Sequence, residues 1–530
     1  MENNRLRRLI RKSNYKSQKP KPSTNEDKIK EPLTSNLSDN IILLKKIFHN
    51  CSDIVFRELV LENEEKIHAE IVYIDGITDK NTIHDNIMSS LLHKFHFLQT
   101  NGVLKPDERL SQIKYSLISI ANIKESSDIE NVLDAILNGE TVILLDGTAV
   151  CLFASTKGGE VRTVSEPVTE SVVRGPKQGF TENLRTNTSL IRRIIKTSEL
   201  KMEKFIAGTK TKTNIVVAYI DSVANEEVVE EVRHRIKKIN IDSILDSAYV
   251  EELIEDNPYS PFPQIAHTER PDKAAAELLE GRVVIIVDGS PFVLIVPTVF
   301  IQFLQSSEDY YERYIFSFAV RIIRYFVFVV ALVLPSAYIA ITTYHQEMLP
   351  TPLLISVAGA HEGVPFPSFI EAILMEITFE ALREAGVRLP KPVGQTVSIV
   401  GALVIGEAAV SAGIVSPPMV IVVALTAIAS FAIPAFNIAI SIRMLRFPLM
   451  IISGVLGFYG IMLGLVAILI HVCSLRSFGV PYLTPIAPFN WSGIKDTIFR
   501  APWWNMKNRP ELIGSENLQR EKTPKPGPSK

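Results

Sequence analysis

Between positions 326 and 344 the chain reads FVFVVALVLPSAYIAITTY, a run without one charged side chain. At about 1.5 Å per helical residue it matches the ~30 Å hydrocarbon layer of a bilayer. Comparable stretches occupy 393–414, 418–440 and 448–472, apolar on every face instead of leaving a polar stripe. The chain must therefore build a helical membrane region in its C-terminal part. One carboxylate, Glu407, interrupts the second of these stretches.

The formal net charge of −2 conceals two environments, because charges crowd before position 314 and apolar residues after it. A chain of 530 residues also exceeds what one compact core accommodates. The expected fold class is an α/β cytoplasmic domain of two related subdomains followed by an α-helical polytopic membrane domain.

The first 40 residues are basic and polar and lack the apolar h-region of a signal peptide, which places the N-terminal part in the cytoplasm. Residues 1–36 read as a disordered basic arm, either lying on anionic headgroups or solvated. Cys51, Cys151 and Cys473 are far apart and form no CxxC, so neither a disulfide framework nor a zinc site is indicated.

The soluble region carries a weak repeat. EIVYIDGITD (70–79) resembles VVAYIDSVAN (216–225), and NGETVILLDGTAVCLF (138–153) resembles EGRVVIIVDGSPFVLI (280–295). Asp75 thus pairs with Asp221, and Asp146 with Asp288. Short Val/Ile runs read as buried strands, and segments such as EEVVEEVRHRIKKI have helical spacing. The Asp146-Gly147 and Asp288-Gly289 pairs suit tight turns rather than a metal site, since no His or Cys accompanies them. The expected order is subdomain 1 (37–165), a basic linker helix (166–210), subdomain 2 (211–304), an interfacial helix (305–325), the membrane domain (326–475) and a cytoplasmic tail (476–530).

In the linker, Arg185, Arg192, Arg193 and Lys196 are expected on an exposed face. A basic helix can bind phosphate or nucleic acid, but no aromatics interleave to stack on bases, so a solvated face or a subunit contact is preferred and no nucleic-acid partner is expected. In 305–325, Tyr310, Tyr311 and Tyr314 fit headgroup level, with Arg313, Arg321 and Arg324 facing the cytoplasm.

Ser368 and Glu371 have capping-box spacing and Gly386 suits a C-cap, which bounds a helix at about 369–385. Glu376, Glu380, Arg383 and Glu384 form its polar stripe. Seventeen residues reach about 25 Å, marginal for a span, so this helix lies at the interface, re-enters, or crosses while facing protein. Four spans, with both termini on one side, are favoured over five.

In 393–414, Thr396, Val400, Leu403, Glu407 and Ser411 fall on one helical line, with Val404 beside it; Gly394, Ser398, Gly401, Ile405, Ala408 and Ala412 form a small-residue line for close packing. A carboxylate facing lipid costs about 2.5 to 3.5 kcal/mol, so Glu407 should face protein or water. In a symmetric oligomer it makes an acidic ring that favours cations, with Val400, Leu403 or Val404 as a dewetting constriction. The alternative is a protonated Glu407 or one paired with a buried polar group.

Gly457, Gly460 and Gly464 signify close helix packing. His361-Glu362 lacks the second His of HExxH, and neither a Walker A motif nor a Ser/His/Asp constellation is present, so no enzyme and no cofactor is expected.

Several longer segments carry a family resemblance: ESVVRGPKQGFTENLRTNTSLIRR, TERPDKAAAELLEGRVVIIVDGSPFVLIVP, EDYYERY, EALREAGVRLPKPVGQTVSIVGALVIGEAAVSAGIVSP and FGVPYLTPIAPFNWSGIKDTIFRAPWWNMKNRP. In this order they resemble the A-subunit family of GerA-type spore germinant receptors, from about residue 36 onward. The resemblance implies a multi-pass protein of the spore inner membrane, working with a transporter-like B subunit and a lipoprotein C subunit. It also implies a homo-oligomer of A subunits that releases monovalent cations when nutrient binds, with 393–414 as the pore helix. A secondary transporter using Glu376, Glu380 or Glu407, and a non-conducting scaffold, remain the alternatives. The motifs do not separate receptor subunits from an amplifying paralogous branch.

Overall fold

The computed structural model describes residues 32–62, 66–94, 110–120, 122–158, 166–167, 169–388, 404–510, 513, 517–520 and 523–526. Most of the basic arm, 1–31, and the first part of the expected span 393–414 therefore lie outside the described residues.

The soluble region contains two five-stranded antiparallel sheets of the same design. In the first unit, α1 (Leu37–Ile47) leads into β1 (Ile54–Glu62) and β2 (Lys66–Ile74); β3 (Ile123–Ser126), α2 (Ile129–Leu137), β4 (Thr141–Leu145) and β5 (Cys151–Ala154) follow. In the second, α3 (Leu184–Ile194) precedes β6 (Leu200–Ala207), β7 (Thr213–Ile220), α4 (Glu226–Lys238), β8 (Ala266–Thr268), α5 (Pro271–Leu279), β9 (Val283–Val287) and β10 (Val293–Val296). The strand orders are β1-β2-β4-β5-β3 and β6-β7-β9-β10-β8, position for position the same.

Strands such as VVIIV are continuously apolar because both faces of each sheet are covered. Along β9, Val284 and Ile286 pack under α3 and α5, while Val283, Ile285 and Val287 pack under α4. The first sheet is covered in the same way, by α1 and α2 on one face and by helical segments 80–94 and 110–117 on the other.

The two Asp-Gly turns do more than reverse the chain. The Leu37 amide donates to Asp146 Oδ1 at 3.3 Å, and the Leu184 amide donates to Asp288 Oδ1 at the same distance. Gly147 (φ 83°) and Gly289 (φ 90°) occupy the left-handed region that favours glycine. Their amides reach Ser35 O at 2.9 Å and Glu182 O at 2.8 Å. Each turn therefore clamps the start of a helix capped by Asn36 or Asn183. The linker helix α3 holds in the second unit the place that α1 holds in the first.

That placement corrects the expectation of an exposed basic face in part: Arg192 is buried and Arg193 half-buried, while Arg185 and Lys196 stay exposed. Arg192 is 0% exposed and pairs through Nε and Nη2 with Asp53 of the first unit at 2.8 and 3.0 Å. Arg185 pairs with Asp75, Arg193 donates to Gly158 O at 2.8 Å, and Lys196 donates to Asn138 Oδ1 at 3.0 Å. All four cations, three on α3 and Lys196 just beyond its end, reach partners in the first unit.

Beyond the sheets, α6 (Tyr314–Thr343) runs unbroken through the segments read as an interfacial helix and a first span. It is followed by α7 (Thr351–His361), α8 (Ser368–Arg388), a helix α9 described over 404–411, α10 (Pro417–Phe431) and α11 (Phe436–Ser474). Two of these, α6 and α11, are long and apolar enough to cross a bilayer.

The segment 448–472, expected as one span, turns back at Gly457. The backbone there (φ 59°, ψ −141°) is not helical and divides α11 into arms 436–456 and 458–474. A Cβ on Gly464 would lie 2.5 Å from Leu449 Cδ1, whereas a straight helix would separate the two positions by about 22 Å. Gly460 and Gly464 do mediate close packing, between the two arms of one helical hairpin, while Gly457 makes the turn.

A Cβ on Gly457 would also approach His345 Cε1 to 2.7 Å. Gly457→Ala is therefore expected to lower stability by about 1–3 kcal/mol, from backbone strain and contact with the ring. Thermal melts of the purified chain in detergent check this; an unchanged melt would contradict the reversal.

Candidate functional site in the membrane region

The polar stripe of α8 faces protein. Glu376 Oε2 accepts from Arg446 Nη1 at 2.6 Å, with side-chain exposures of only 1% and 2%. One turn on, Glu380 binds Arg443 at 2.8 Å and Arg383 at 3.0 Å. Arg383 donates to Ser430 Oγ at 2.9 Å and lies against the rings of Phe379 and Phe431. Only Glu384 stays outside the cluster, exposed and paired with Arg388 on its own helix.

The cluster thus joins α8, α10 and the first arm of α11. Arg443 and Arg446 supply the facing cations from α11. Their spacing of three, matched to Glu376 and Glu380 at four, is the signal for a facing pair of helices.

Arg446 has a second task. Pro335 inside α6 has no N–H, so the carbonyl four residues earlier, that of Ala331, loses its helical donor. Arg446 Nε supplies that bond at 2.9 Å. The hydrogen bond that Pro335 leaves open and the buried charge cluster are one construction.

A second buried chain of polar groups anchors the turn after α9. Tyr338 Oη lies 3.1 Å from His361 Nε2, and His361 Nδ1 lies 3.0 Å from Glu371 Oε1. Glu371 Oε2 accepts the Ser416 amide at 2.6 Å. Helices α6, α7 and α8 thereby fix the entry to α10.

On α9, Val404, Glu407 and Ser411 are exposed at spacings of three and four, on the side opposite the buried Gly406. Ala409 and Val410 pack against the core shared by α6, α8 and α10. Thr396, Val400 and Leu403 lie outside the described residues. Among the described residues, no hydrogen bond or ion pair reaches the Glu407 carboxylate, whereas Glu371, Glu376, Glu380 and Glu384 are each paired.

The membrane helices are tied to the second α/β unit at both ends of the region. Where α6 begins, Asp309 binds Arg324 at 2.8 Å and Arg321 at 3.1 Å. Burial acts to raise the Asp309 pKa, but the two guanidiniums outweigh it and hold the carboxyl below its ordinary range. Tyr310 hydrogen-bonds Asp496 at 3.0 Å, and Tyr311 hydrogen-bonds Asp272. Tyr310, Tyr311, Arg321 and Arg324 therefore meet protein partners rather than headgroups and water, because Asp309, Asp496 and Asp272 converge on them.

Where α11 ends, His471 Nε2 lies 2.9 Å from Ser260 Oγ. Ser477 Oγ donates to Gln264 O at 2.7 Å, and Tyr482 Oη to Pro263 O at 2.6 Å. Beside this joint, burial pushes the Glu255 carboxyl up to about 7, opposed by the Gln264 amide. The hydrophobic core continues through the joint, from Val284 and Ile286 by way of Phe303 to Ala331 and Ile442. A displacement in either part has a packed route to the other.

The profile of the Bacillus/Clostridium GerA spore germination protein family matches residues 43–512. The chain belongs to the GerA family. Spore germination protein KA of Bacillus subtilis (strain 168) is 48% identical over 498 residues, covering 94% of this chain and 90% of that protein. An uncharacterized membrane protein of the same strain, YfkQ, is 50% identical over 495 residues, covering 93% and 94%. Among solved structures, the N-terminal domain of the A subunit of the Bacillus megaterium spore germinant receptor GerK3 is 38% identical. It covers 52% of this chain and 99% of that one, with a TM-score of 0.41. This GerA-family chain is accordingly a membrane protein of spore germination, with two α/β units ahead of its helices.

Proposed function

We propose that this chain is the A-type subunit of a germinant receptor in the spore inner membrane, with its α/β units on the core side. It works with a transporter-like B subunit and a lipoprotein C subunit, and oligomerises so that the face of α9 carrying Val404, Glu407 and Ser411 lines a path for monovalent cations. The sequence spacing adds Thr396, Val400 and Leu403, which lie outside the described residues, to the proposed line. The observation that carries this reading is Glu407, exposed and without a partner among the described residues, on a helix that packs through Ala409 and Val410. Repeated around a symmetry axis it forms the acidic ring that cation pathways use.

Nutrient binding on a partner shifts a closed–open equilibrium, and the packed joint between the second α/β unit and the helices carries the change. Glu376 and Glu380 serve packing here, not proton coupling, since both are held by arginines.

The test is single-channel current from the purified chain in planar bilayers, with and without partner subunits. Cation-selective events are expected, and Glu407→Gln is expected to lower cation conductance by roughly two- to tenfold while leaving assembly intact. Silence in every combination, from folded and oligomeric protein, would sink the channel reading and favour a scaffold. Current that is unchanged in Glu407→Gln would remove Glu407 from the path.

A further inference from the structure

At 30 residues, α6 reaches about 45 Å, the thickness of a bilayer with both headgroup layers included. Its first turn therefore lies at headgroup level on the side of the α/β units. Over the first half of α6 one face is exposed, along Ile315, Ala319, Ile322, Phe326 and Val329, a line at helical spacing. This is the lipid-facing side.

The segment after α11 folds back beneath that side. Arg321 Nη1 donates to Asp496 O at 2.6 Å, and Tyr325 Oη donates to Thr497 O at 2.7 Å, fixing the segment's backbone against α6. The rings of Phe318 and Phe499 stack with centroids 5.5 Å apart. Held in this way, the segment leaves large apolar side chains uncovered: Phe489 is 64% exposed, Trp491 70% and Phe499 48%. Trp491 and Phe499 share one shallow groove with Ile315 and Phe318 of α6. The exposed apolar line of the helix thus meets the apolar side chains of the segment in a groove whose wall also includes Lys495, Arg500 and Asn505.

We propose that residues 485–503 form a foot that beds into the headgroup layer, with Phe489, Trp491 and Phe499 inserted at the acyl boundary. Water is a poor solvent for a contiguous patch of this kind. Trp and Phe with an exposed Lys495 are suited to the interface, the rings at the boundary and the ammonium reaching up to lipid phosphate. Continuity with the lipid-facing line of α6 favours the bilayer over a second protein. The foot then sets the level at which α6 and Asp496 sit, whether or not the chain conducts ions.

The experiment uses the full chain in nanodiscs of lipids brominated either near the headgroup end or near the methyl end of the acyl chains. The chain has three tryptophans, so W503F/W504F leaves Trp491 as the sole emitter. Shallow bromines are expected to reduce its emission roughly twofold and deep bromines to leave it nearly unchanged. In the otherwise native chain, W491F should remove the component that shallow bromines quench, which keeps the test valid if the double variant folds poorly.

Three results would overturn the foot. Unquenched, blue emission means that protein covers Trp491; unquenched, red emission means that water does. Stronger quenching by deep bromines means that the ring lies within the hydrocarbon. None of these readouts depends on conductance, so failure of the foot and failure of the channel reading are separable.

Discussion

Arg446→Met is expected to destabilise the membrane region by about 3–5 kcal/mol, the cost of leaving a buried carboxylate without its partner. Glu376 is 1% exposed and its bond to Arg446 is the only ion pair it makes among the described residues. Removing the guanidinium also strands the carbonyl of Ala331, which Pro335 has already deprived of its helical donor. The two losses can be told apart. Pro335→Ala restores the missing N–H, so in the Arg446→Met background it should recover about 1 kcal/mol, the net worth of one hydrogen bond. Replacing both charges, Glu376→Leu with Arg446→Met, should lie within about 1–2 kcal/mol of the native chain, since no lone charge is left behind. Denaturation of the purified chain in mixed micelles reads all four proteins. A double variant as unstable as Arg446→Met alone would show that the pair does not carry the cost. The exposed Glu384–Arg388 pair is the control, with an expected effect of about 0–0.5 kcal/mol on removal of either partner.

What was legible in the sequence follows from how locally each feature is determined. The strands of both sheets could be read because they are buried on two faces and appear as uninterrupted Val/Ile runs. The repeat could be read where Asp-Gly turns and strands recur. Its first elements, α1 and α3, share Leu37/Leu184, Asn40/Asn187, Leu43/Leu190, Ile47/Ile194 and a basic pair, but they stand apart from the strand and Asp-Gly segments that reveal the repeat. Asn36 with Asn40 and Asn183 with Asn187 hold the same places, and Asn40 and Asn187 bond the backbone of Thr34 and Thr181 alike. The reversal at Gly457 left no trace in hydropathy, since both arms of α11 are apolar and a glycine in such a run is equally compatible with packing. The polar stripe of α8 was visible, but its partners lie more than sixty residues further along the chain, and spacing alone does not say which of two stripes meet. Glu407 was conspicuous for the opposite reason: a single carboxylate in an apolar run stands out whatever surrounds it.

The largest effect in the soluble region is expected at the contact between the two α/β units. Arg192 of the second unit donates from Nε and Nη2 to both oxygens of Asp53 in the first, and from Nη1 and Nη2 to Thr197 O and Leu200 O at 3.0 and 3.1 Å. The same contact carries a backbone bridge, in which the Ser52 amide reaches Met202 O at 3.0 Å and the Met202 amide reaches Asn50 O at 2.9 Å. Each unit has its own core, so what the ion pair holds is their mutual register. Asp53→Ala leaves a buried guanidinium with carbonyl partners only, and a loss of about 3–5 kcal/mol is expected. Arg192→Lys alone should not preserve the contact, because one ammonium cannot reproduce the two parallel bonds to the Asp53 carboxylate or reach both carbonyls. Lys210→Ala, at the exposed pair with Asp242, should cost about 0–1 kcal/mol. Hydrogen exchange by region gives the decisive readout. If the pair couples the units, Asp53→Ala will lower protection at α3, β1 and β6 together, while the interiors of β4 and β9 keep theirs. Loss spread evenly over both sheets would mean that the units fold as one body and that Arg192 contributes only to global stability. Loss confined to the first unit would place the weakness in that sheet instead. Since, among the described residues, the core that reaches the membrane helices through Phe303 and Tyr482 is that of the second unit, a released first unit with an intact joint would also separate its part in germination from that of the helices.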